Sequence, residues 1–225
     1  MTKREKLSQR ALPSYTAGEE IFNMVSHIAG GAVGITALTL CVVFAALHGS
    51  VYGVVGSAIY GASMILLYAF SSIYHGLKPN LTAKKVFQII DHCSIFILIA
   101  GTYTPICLCA LCEYSPALGW TMFGLVWCAA IVGIVLNAID LKKYHKFSAV
   151  CYLVMGWCII GAWRALPFML ARGGVVYLLT GGICYTIGAL FYYFLKNKRY
   201  MHSVFHLFVV AGSILHFIYI LFYII

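Results

Sequence analysis

The chain ends in the stretch MHSVFHLFVVAGSILHFIYILFYII, residues 201–225, whose only ionisable side chains besides two tyrosines are three histidines. About 20 mostly apolar residues are enough to cross a bilayer as a helix. The rest of the chain has the same character, because 63% of its 225 residues are hydrophobic and only 9% are charged. This composition lies far from that of a soluble domain. The sequence therefore predicts an integral membrane protein.

Six further apolar runs precede this stretch. Their connections are short, which favours antiparallel neighbours in an all-α, seven-transmembrane-helix bundle. We expect one membrane domain at 21–225 behind an N-terminal tail at 1–20. The tail is too polar to be the apolar core of a signal peptide, and the run that follows is too long for one, so no cleavage is expected. The predicted spans lie near 21–48, 51–74, 87–112, 117–139, 147–170, 174–195 and 201–225.

The basic residues predict the orientation. Thirteen of the fifteen Lys and Arg residues fall in the tail and in alternate connections, whereas Arg172 lies in an opposite loop and Arg164 within the fifth run. By the positive-inside rule, the N-terminus is cytoplasmic and the C-terminus is outside. The net charge of +9 is spread over four segments, which favours membrane lipids as partners and argues against nucleic acid. The thirteen are Lys3, Arg4, Lys6, Arg10, Lys78, Lys84, Lys85, Lys142, Lys143, Lys146, Lys196, Lys198 and Arg199.

Asp91 is the one acid expected inside a span. A lone carboxylate in hydrocarbon costs several kcal/mol, so Asp91 needs a cation, a metal ion or a hydrated cavity. Lys84 and Lys85 are near in sequence and are alternative partners. The other five acids are expected in tails or loops: Glu5, Glu19, Glu20, Glu113 and Asp140.

Histidines surround Asp91 at the same predicted depth. His75 ends the second span, and His202 and His206 fall in the first two turns of the seventh. Residues four apart share a helix face, so these two imidazoles can reach a single ion. His75 and Asp91 can complete a tetrahedral zinc site, with Asp91 bound directly or through water. Taken singly, each histidine also fits an ordinary contact with the membrane interface.

Two further polar residues lie near this layer. Ser71 is one turn before His75, where its hydroxyl can hold a water or a substrate carbonyl, or bond to its own helix backbone. His27 lies two turns into the first span and is a candidate for supporting the ligands or for replacing one of them. The nine cysteines are interpreted as packing residues, with a disulfide between Cys109 and Cys112 as the alternative.

Ser71, His75, Asp91, His202 and His206, on the second, third and seventh spans, resemble the progestin and adipoQ receptor superfamily. Within it, EEIFNMVSH, SSIYH and AGTYTP are similar to the bacterial hemolysin III branch. The resemblance implies a seven-helix protein that binds zinc through His75, His202 and His206. It also implies Asp91 as a ligand through water or as a base, Ser71 as a support, and ceramidase-like activity.

The combined prediction is a multi-pass cell-membrane protein that hydrolyses an amide or ester bond in a lipid with the help of zinc. A lipid-responsive role in membrane homeostasis is kept beside it. The alternatives are a pore-forming, cytolytic protein and a receptor-like protein with a structural zinc site. A pore needs polar residues along the full depth of the bundle, whereas the outer half of this chain is nearly all apolar.

Overall fold

The computed structural model describes Leu7, residues 10–195 and residues 198–225. Within these ranges the chain is helical and contains no strand, so the predicted all-α class is confirmed. Five residues used in the sequence analysis lie outside the described residues: Lys3, Arg4, Glu5, Lys6 and Lys196.

Eight α-helices follow one another along the described chain. A π-helical segment, Ile106–Leu111, lies between the third and fourth α-helices, and another, Ile220–Ile224, follows the eighth. A 3-10 helix, Cys158–Ala165, separates the fifth α-helix from the sixth, so the predicted fifth run is not continuously α-helical. The α-helices are α1 Ala17–Leu47, α2 Val51–Gly76, α3 Thr82–Pro105, α4 Cys112–Tyr114, α5 Pro116–Gly156, α6 Leu166–Arg172, α7 Val175–Leu195 and α8 Met201–Tyr219.

Six helical segments of the described chain are long and apolar enough to cross a membrane. Five are close to the length of a single span. The sixth, Pro116–Arg172, contains 57 residues, whereas a span needs about 20. The six segments are Ala17–Leu47, Val51–Gly76, Thr82–Tyr114, Pro116–Arg172, Val175–Leu195 and Met201–Ile224.

The long segment is interrupted at Asp140. This residue has extended backbone angles, φ −158° and ψ 90°, and its Oδ1 accepts a hydrogen bond from Lys143 N at 3.1 Å. Asp140 therefore has the geometry of an N-cap, which ends one helix and starts the next.

Side-chain contacts show what the break does to the chain. Ser148 Oγ donates to Asn137 Oδ1 at 2.6 Å, and Asn137 Nδ2 donates to Tyr152 OH at 3.3 Å. On a straight helix, residues 11 apart would be separated by about 16 Å along the axis. The two halves of α5 therefore fold back on each other at Asp140.

The first helix begins earlier than the hydropathy pattern predicts. Its N-cap is Thr16, whose hydroxyl accepts from Glu19 N at 3.3 Å, while Glu19 Oε2 accepts from Thr16 N at 2.8 Å. This reciprocal pair is a capping box. Glu19 and Glu20 consequently lie in the first turn of α1, and the expectation that they belong to a tail is wrong.

The helices pack closely around glycines and buried aromatic rings. A Cβ added at Gly133 of α5 would lie 2.1 Å from Phe96 Cζ of α3. Inside the bundle, the Ser213 hydroxyl bonds to Tyr68 OH at 2.7 Å and to Tyr185 OH at 2.8 Å. All nine cysteines are free, so the structure has no disulfide between Cys109 and Cys112.

Candidate metal centre

Three histidines from two helices converge at one end of the bundle. His75 is at the end of α2, and His202 and His206 lie in the first two turns of α8. His202 Nε2 is 3.3 Å from His75 Nε2 and 3.1 Å from His206 Nε2. One ligand atom from each of the three residues lies within 4.8 Å of the other two, so the group could hold a metal ion.

The hydrogen bonds assign the form of the His75 ring. His75 Nδ1 is 2.6 Å from Glu20 Oε2, and a carboxylate oxygen is an acceptor, so Nδ1 carries the hydrogen. In the neutral ring, Nε2 of His75 then presents a lone pair to the other histidines. A single hydrogen on His202 Nε2 can satisfy only one of its two close contacts, whereas a cation between the rings satisfies all three nitrogens.

Two of the three separations between the ligand nitrogens agree with a tetrahedral zinc shell. Zinc binds histidine nitrogen at about 2.0–2.1 Å, which places two tetrahedral ligand atoms about 3.3 Å apart. The two short Nε2 separations, 3.3 and 3.1 Å, are close to this value. The rings are also held in place, since His75 is 2% exposed and His206 is 1% exposed. These three residues could therefore hold the zinc ion that the sequence predicts.

An ion pair between partly buried Glu20 and buried Lys84 lies directly behind His75. Lys84 Nζ donates to Glu20 Oε1 at 2.7 Å, while the other oxygen of Glu20 contacts His75. Lys84 also donates to the carbonyl of Leu77 at 2.9 Å and is 1% exposed. Lys84 was expected in a loop, as a possible partner for Asp91, but it lies in α3 and pairs with Glu20.

Asp91 lies beside the histidines without joining their ligand group. Its carboxylate interacts with the Ser71 hydroxyl and electrostatically with His75, and its Oδ2 is 3.9 Å from His92 Nδ1. Among the described residues, the ligand atoms that lie within 4.8 Å of one another come from the three histidines alone. Asp91 and Ser71, on neighbouring helices, are thus a polar pair next to the cluster.

One face of α1 contacts the start of α8. Glu19 Oε1 accepts from Tyr200 N at 2.7 Å, and Asn23 Oδ1 accepts from Ser203 Oγ at 2.6 Å. His27 stacks on His206, with ring centroids 3.7 Å apart and planes at 20°. Residues 19, 23 and 27 are four apart, which places them on one helix face. His27 therefore packs against a candidate ligand, and its two nitrogens have no hydrogen-bond partner among the residues that the structure describes.

Tyrosines form the remaining wall of the cluster. Tyr15, just before α1, stacks on His202 with centroids 5.0 Å apart and planes at 11°. The ring centroids of Tyr74 and His75 are 4.6 Å apart, and those of Tyr192 and His202 are 5.2 Å apart. The pKa of the Tyr15 phenol is raised well above its ordinary value, mainly by burial and to a smaller extent by the nearby tyrosines. Its hydroxyl therefore stays protonated and able to donate.

The contacts of Glu20 with His75 and Lys84, and the position of Tyr15 beside His202, do not follow from the sequence pattern. The capping signature Thr16-x-x-Glu19 was available as a signal that α1 begins at residue 17 and includes Glu20. No comparable local signal marks Lys84, because its burial depends on the position of Glu20 in another helix. Arg164 is exposed and packs against the Trp163 ring, away from the cluster.

The fold and the site together define a helical membrane protein with a buried three-histidine cluster at one end. The haemolysin-III related family model matches residues 15–217, which include every residue of this cluster and its surroundings described above. The chain therefore belongs to the haemolysin-III related family.

Curated relatives agree with this assignment. Hemolysin-3 of Bacillus cereus is 40% identical over 206 residues, 92% of each chain. The hemolysin-3 homolog of Bacillus subtilis is 40% identical over 209 residues, 93% of this chain and 96% of the relative. Human monocyte to macrophage differentiation factor is 27% identical over 163 residues, 71% of this chain and 66% of the relative. The resemblance to the hemolysin III branch is confirmed, and the chain is a multi-pass cell-membrane protein.

Proposed function

We propose that the protein is a zinc-dependent hydrolase that cleaves an amide or ester bond in a membrane lipid. The observation that carries the proposal is the convergence of the Nε2 atoms of His75, His202 and His206 inside an apolar helix bundle. Three histidine ligands with one position left over is a common arrangement of catalytic zinc. When bound, zinc supplies a water acidified to a pKa of about 7 and polarises a carbonyl.

The chain's own residues supply the other parts of this chemistry. Asp91 is next to the cluster and would take the proton of the attacking water and pass it to the leaving amine or alcohol as the C–N or C–O bond breaks, while Ser71 holds its carboxylate. Tyr15 and Tyr74 pack beside the histidines and shield them from bulk water. Membrane lipids are the proposed partners, because the cluster lies within helices that are apolar enough to span a bilayer.

We also propose seven spans, with a cytoplasmic N-terminus and an outside C-terminus, in one membrane domain. The helix break at Asp140 and the fold-back contact between Asn137 and Ser148 support two spans within Pro116–Arg172. That break is followed by three lysines, as expected for a cytoplasmic turn. They are Lys142, Lys143 and Lys146. The histidine cluster would then lie on the cytoplasmic side.

Metal analysis of the purified protein in lipid nanodiscs tests the zinc site. We expect about one zinc per chain, retained after gentle extraction and lost in His206→Ala. His216→Ala is the matched control, because His216 is a buried histidine of the same helix that bonds to Leu178 O. Wild-type protein without zinc, or His206→Ala with unchanged zinc, would refute the site.

A panel of N-acyl and O-acyl lipids tests catalysis by release of free fatty acid. Asp91→Asn should bind zinc but lose most turnover, because its amide cannot accept the proton of the attacking water. Zinc without turnover on any lipid would favour the receptor-like alternative with a structural metal. Liposome leakage that persists after loss of all three histidines would favour the pore-forming alternative.

A further inference from the structure

Glu20 connects the candidate ligand His75 to a buried cation. Its Oε2 is 2.6 Å from His75 Nδ1, and its Oε1 is 2.7 Å from Lys84 Nζ. The carboxylate thus has one oxygen for each partner, and the three side chains come from α1, α2 and α3. By contrast, Nδ1 of His202 has no hydrogen-bond partner among the described residues, and His206 interacts with the backbone of Asn23. Within the described part of the chain, His75 is therefore the one histidine of the cluster with a charged partner behind its ring.

The position of Glu20 is itself fixed by Lys84. The ammonium group donates to the carbonyls of Leu77 and His75, at 2.9 and 3.5 Å, and lies 4.9 Å from the centre of the Tyr74 ring. Lys84 is 1% exposed. A lysine held by two carbonyls and an aromatic ring has little freedom to move. The carboxylate of Glu20 is consequently held against His75 from the opposite side.

We infer that Glu20, held by Lys84, is a positioning residue that fixes the tautomer and orientation of His75 and thereby raises the affinity of the cluster for its metal. This inference rests on the proposed function. A carboxylate that accepts the far N–H of a ligating histidine keeps the other nitrogen free to bind metal and makes it a better donor. Loss of such a partner lowers metal affinity by about 10–100-fold.

Zinc affinity of Glu20→Gln, measured by chelator competition in nanodiscs, tests the inference. Glutamine keeps the size of the side chain but removes the charge, so affinity should fall by about 10–100-fold. Glu113→Gln is the matched control: Glu113 is also an acid paired with a cation, Arg172, but it is 57% exposed and distant from the cluster. Its zinc affinity should equal that of the wild type.

A double variant separates positioning from simple stabilisation. Glu20→Gln leaves Lys84 buried without its carboxylate, which is expected to lower thermal stability. Glu20→Gln combined with Lys84→Met removes both charges and should recover stability, while zinc affinity stays low. Recovery of wild-type affinity in the double variant would overturn the inference, because it would reduce the pair to a structural contact.

A spectroscopic measurement reports the tautomer directly. In metal-free protein with 15N-labelled histidine, the His75 signals, assigned as those absent from His75→Ala, should show a protonated Nδ1 and a bare Nε2 in the wild type. Glu20→Gln should lose this single form. An unchanged tautomer and unchanged affinity in Glu20→Gln would overturn the inference and leave the zinc site standing, whereas a wild type without zinc would overturn both.

Discussion

The fold-back at Asp140 can be tested through Asn137, which links the two halves of α5. Asn137 is fully buried, accepts from Ser148 Oγ at 2.6 Å and donates to Tyr152 OH at 3.3 Å. The Tyr152 hydroxyl in turn donates to the His92 carbonyl at 2.7 Å. Asn137→Ala therefore leaves the Ser148 hydroxyl, which is 1% exposed, without its acceptor across the fold.

The size of the effect follows from these contacts. A buried polar group left without a partner costs about 1–3 kcal/mol, so Asn137→Ala should lower the free energy of unfolding by that amount. Ser148→Ala removes the stranded hydroxyl, so the double variant should lose less than the sum of the two single variants. Side-chain hydrogen bonds in membrane proteins give coupling energies averaging about 0.6 kcal/mol, with a maximum of about 1.7 kcal/mol.

A double-mutant cycle measured by reversible unfolding in lipid micelles gives the coupling energy. Thr36→Ala is the control, since its exposed hydroxyl bonds within its own helix to Ala32 O at 2.9 Å, and it should change stability little. Additivity of Asn137→Ala and Ser148→Ala within about 0.3 kcal/mol would mean that the two side chains do not interact. The fold-back at Asp140 would then be wrong.

Three further predictions concern packing, capping and metal. Gly133→Ala should lower the free energy of unfolding by about 1–3 kcal/mol, because the new methyl group meets the fully buried Phe96 ring. Gly124→Ala is the control and should be neutral, because the space around Gly124 is open. Thr16→Ala should lower the free energy of unfolding by about 1 kcal/mol, because it removes the N-cap of α1. An unchanged melting temperature would contradict this prediction. Zinc at a hundred times its Kd should stabilise the wild type by about 2.7 kcal/mol, and an equal gain in His206→Ala would contradict the site.

Hydropathy alone predicts most of the helical framework. Each apolar run overlaps a helical segment, the fourth and fifth runs sharing Pro116–Arg172, because lipid leaves the backbone no other partner than its own turns. Asp140 and the lysines after it mark the interruption of Pro116–Arg172, because an aspartate followed by charged residues is unfavourable in hydrocarbon and caps a new helix. The 3-10 segment Cys158–Ala165 contains one charge, Arg164, but no capping side chain, so its sequence does not indicate the change of helix type.

The histidine cluster is partly predictable for a different reason. His202 and His206 are four apart, so their common face follows from helix geometry. The proximity of His75 to both follows from counting spans, which places the end of α2 and the start of α8 at one side. The side-chain separations do not follow from either argument, because they depend on the packing of α1 between these helices.

Glu19 and Glu20 show why charges near the edge of an apolar run are easily misread. A hydropathy window excludes them, since it scores each charge as if it stood alone. In the structure, consecutive side chains are rotated by about 100° around the helix, so the two acids face different partners. Glu20 reaches His75 and Lys84, and Glu19 reaches the backbone of Tyr200.

Because the two acids have different partners, the first turn of α1 contacts both chain segments that supply the histidines. The backbone of Tyr200 is in the left-handed region, with φ 61°. This conformation is unfavourable for a residue with a side chain. The hydrogen bond from its backbone N–H to Glu19 stabilises this conformation at the residue before α8, two positions ahead of His202. Glu20 meanwhile holds His75 at the end of α2. Two adjacent acids therefore set the relative positions of the two helices that supply the histidines, and a shift of α1 by one residue would disconnect both.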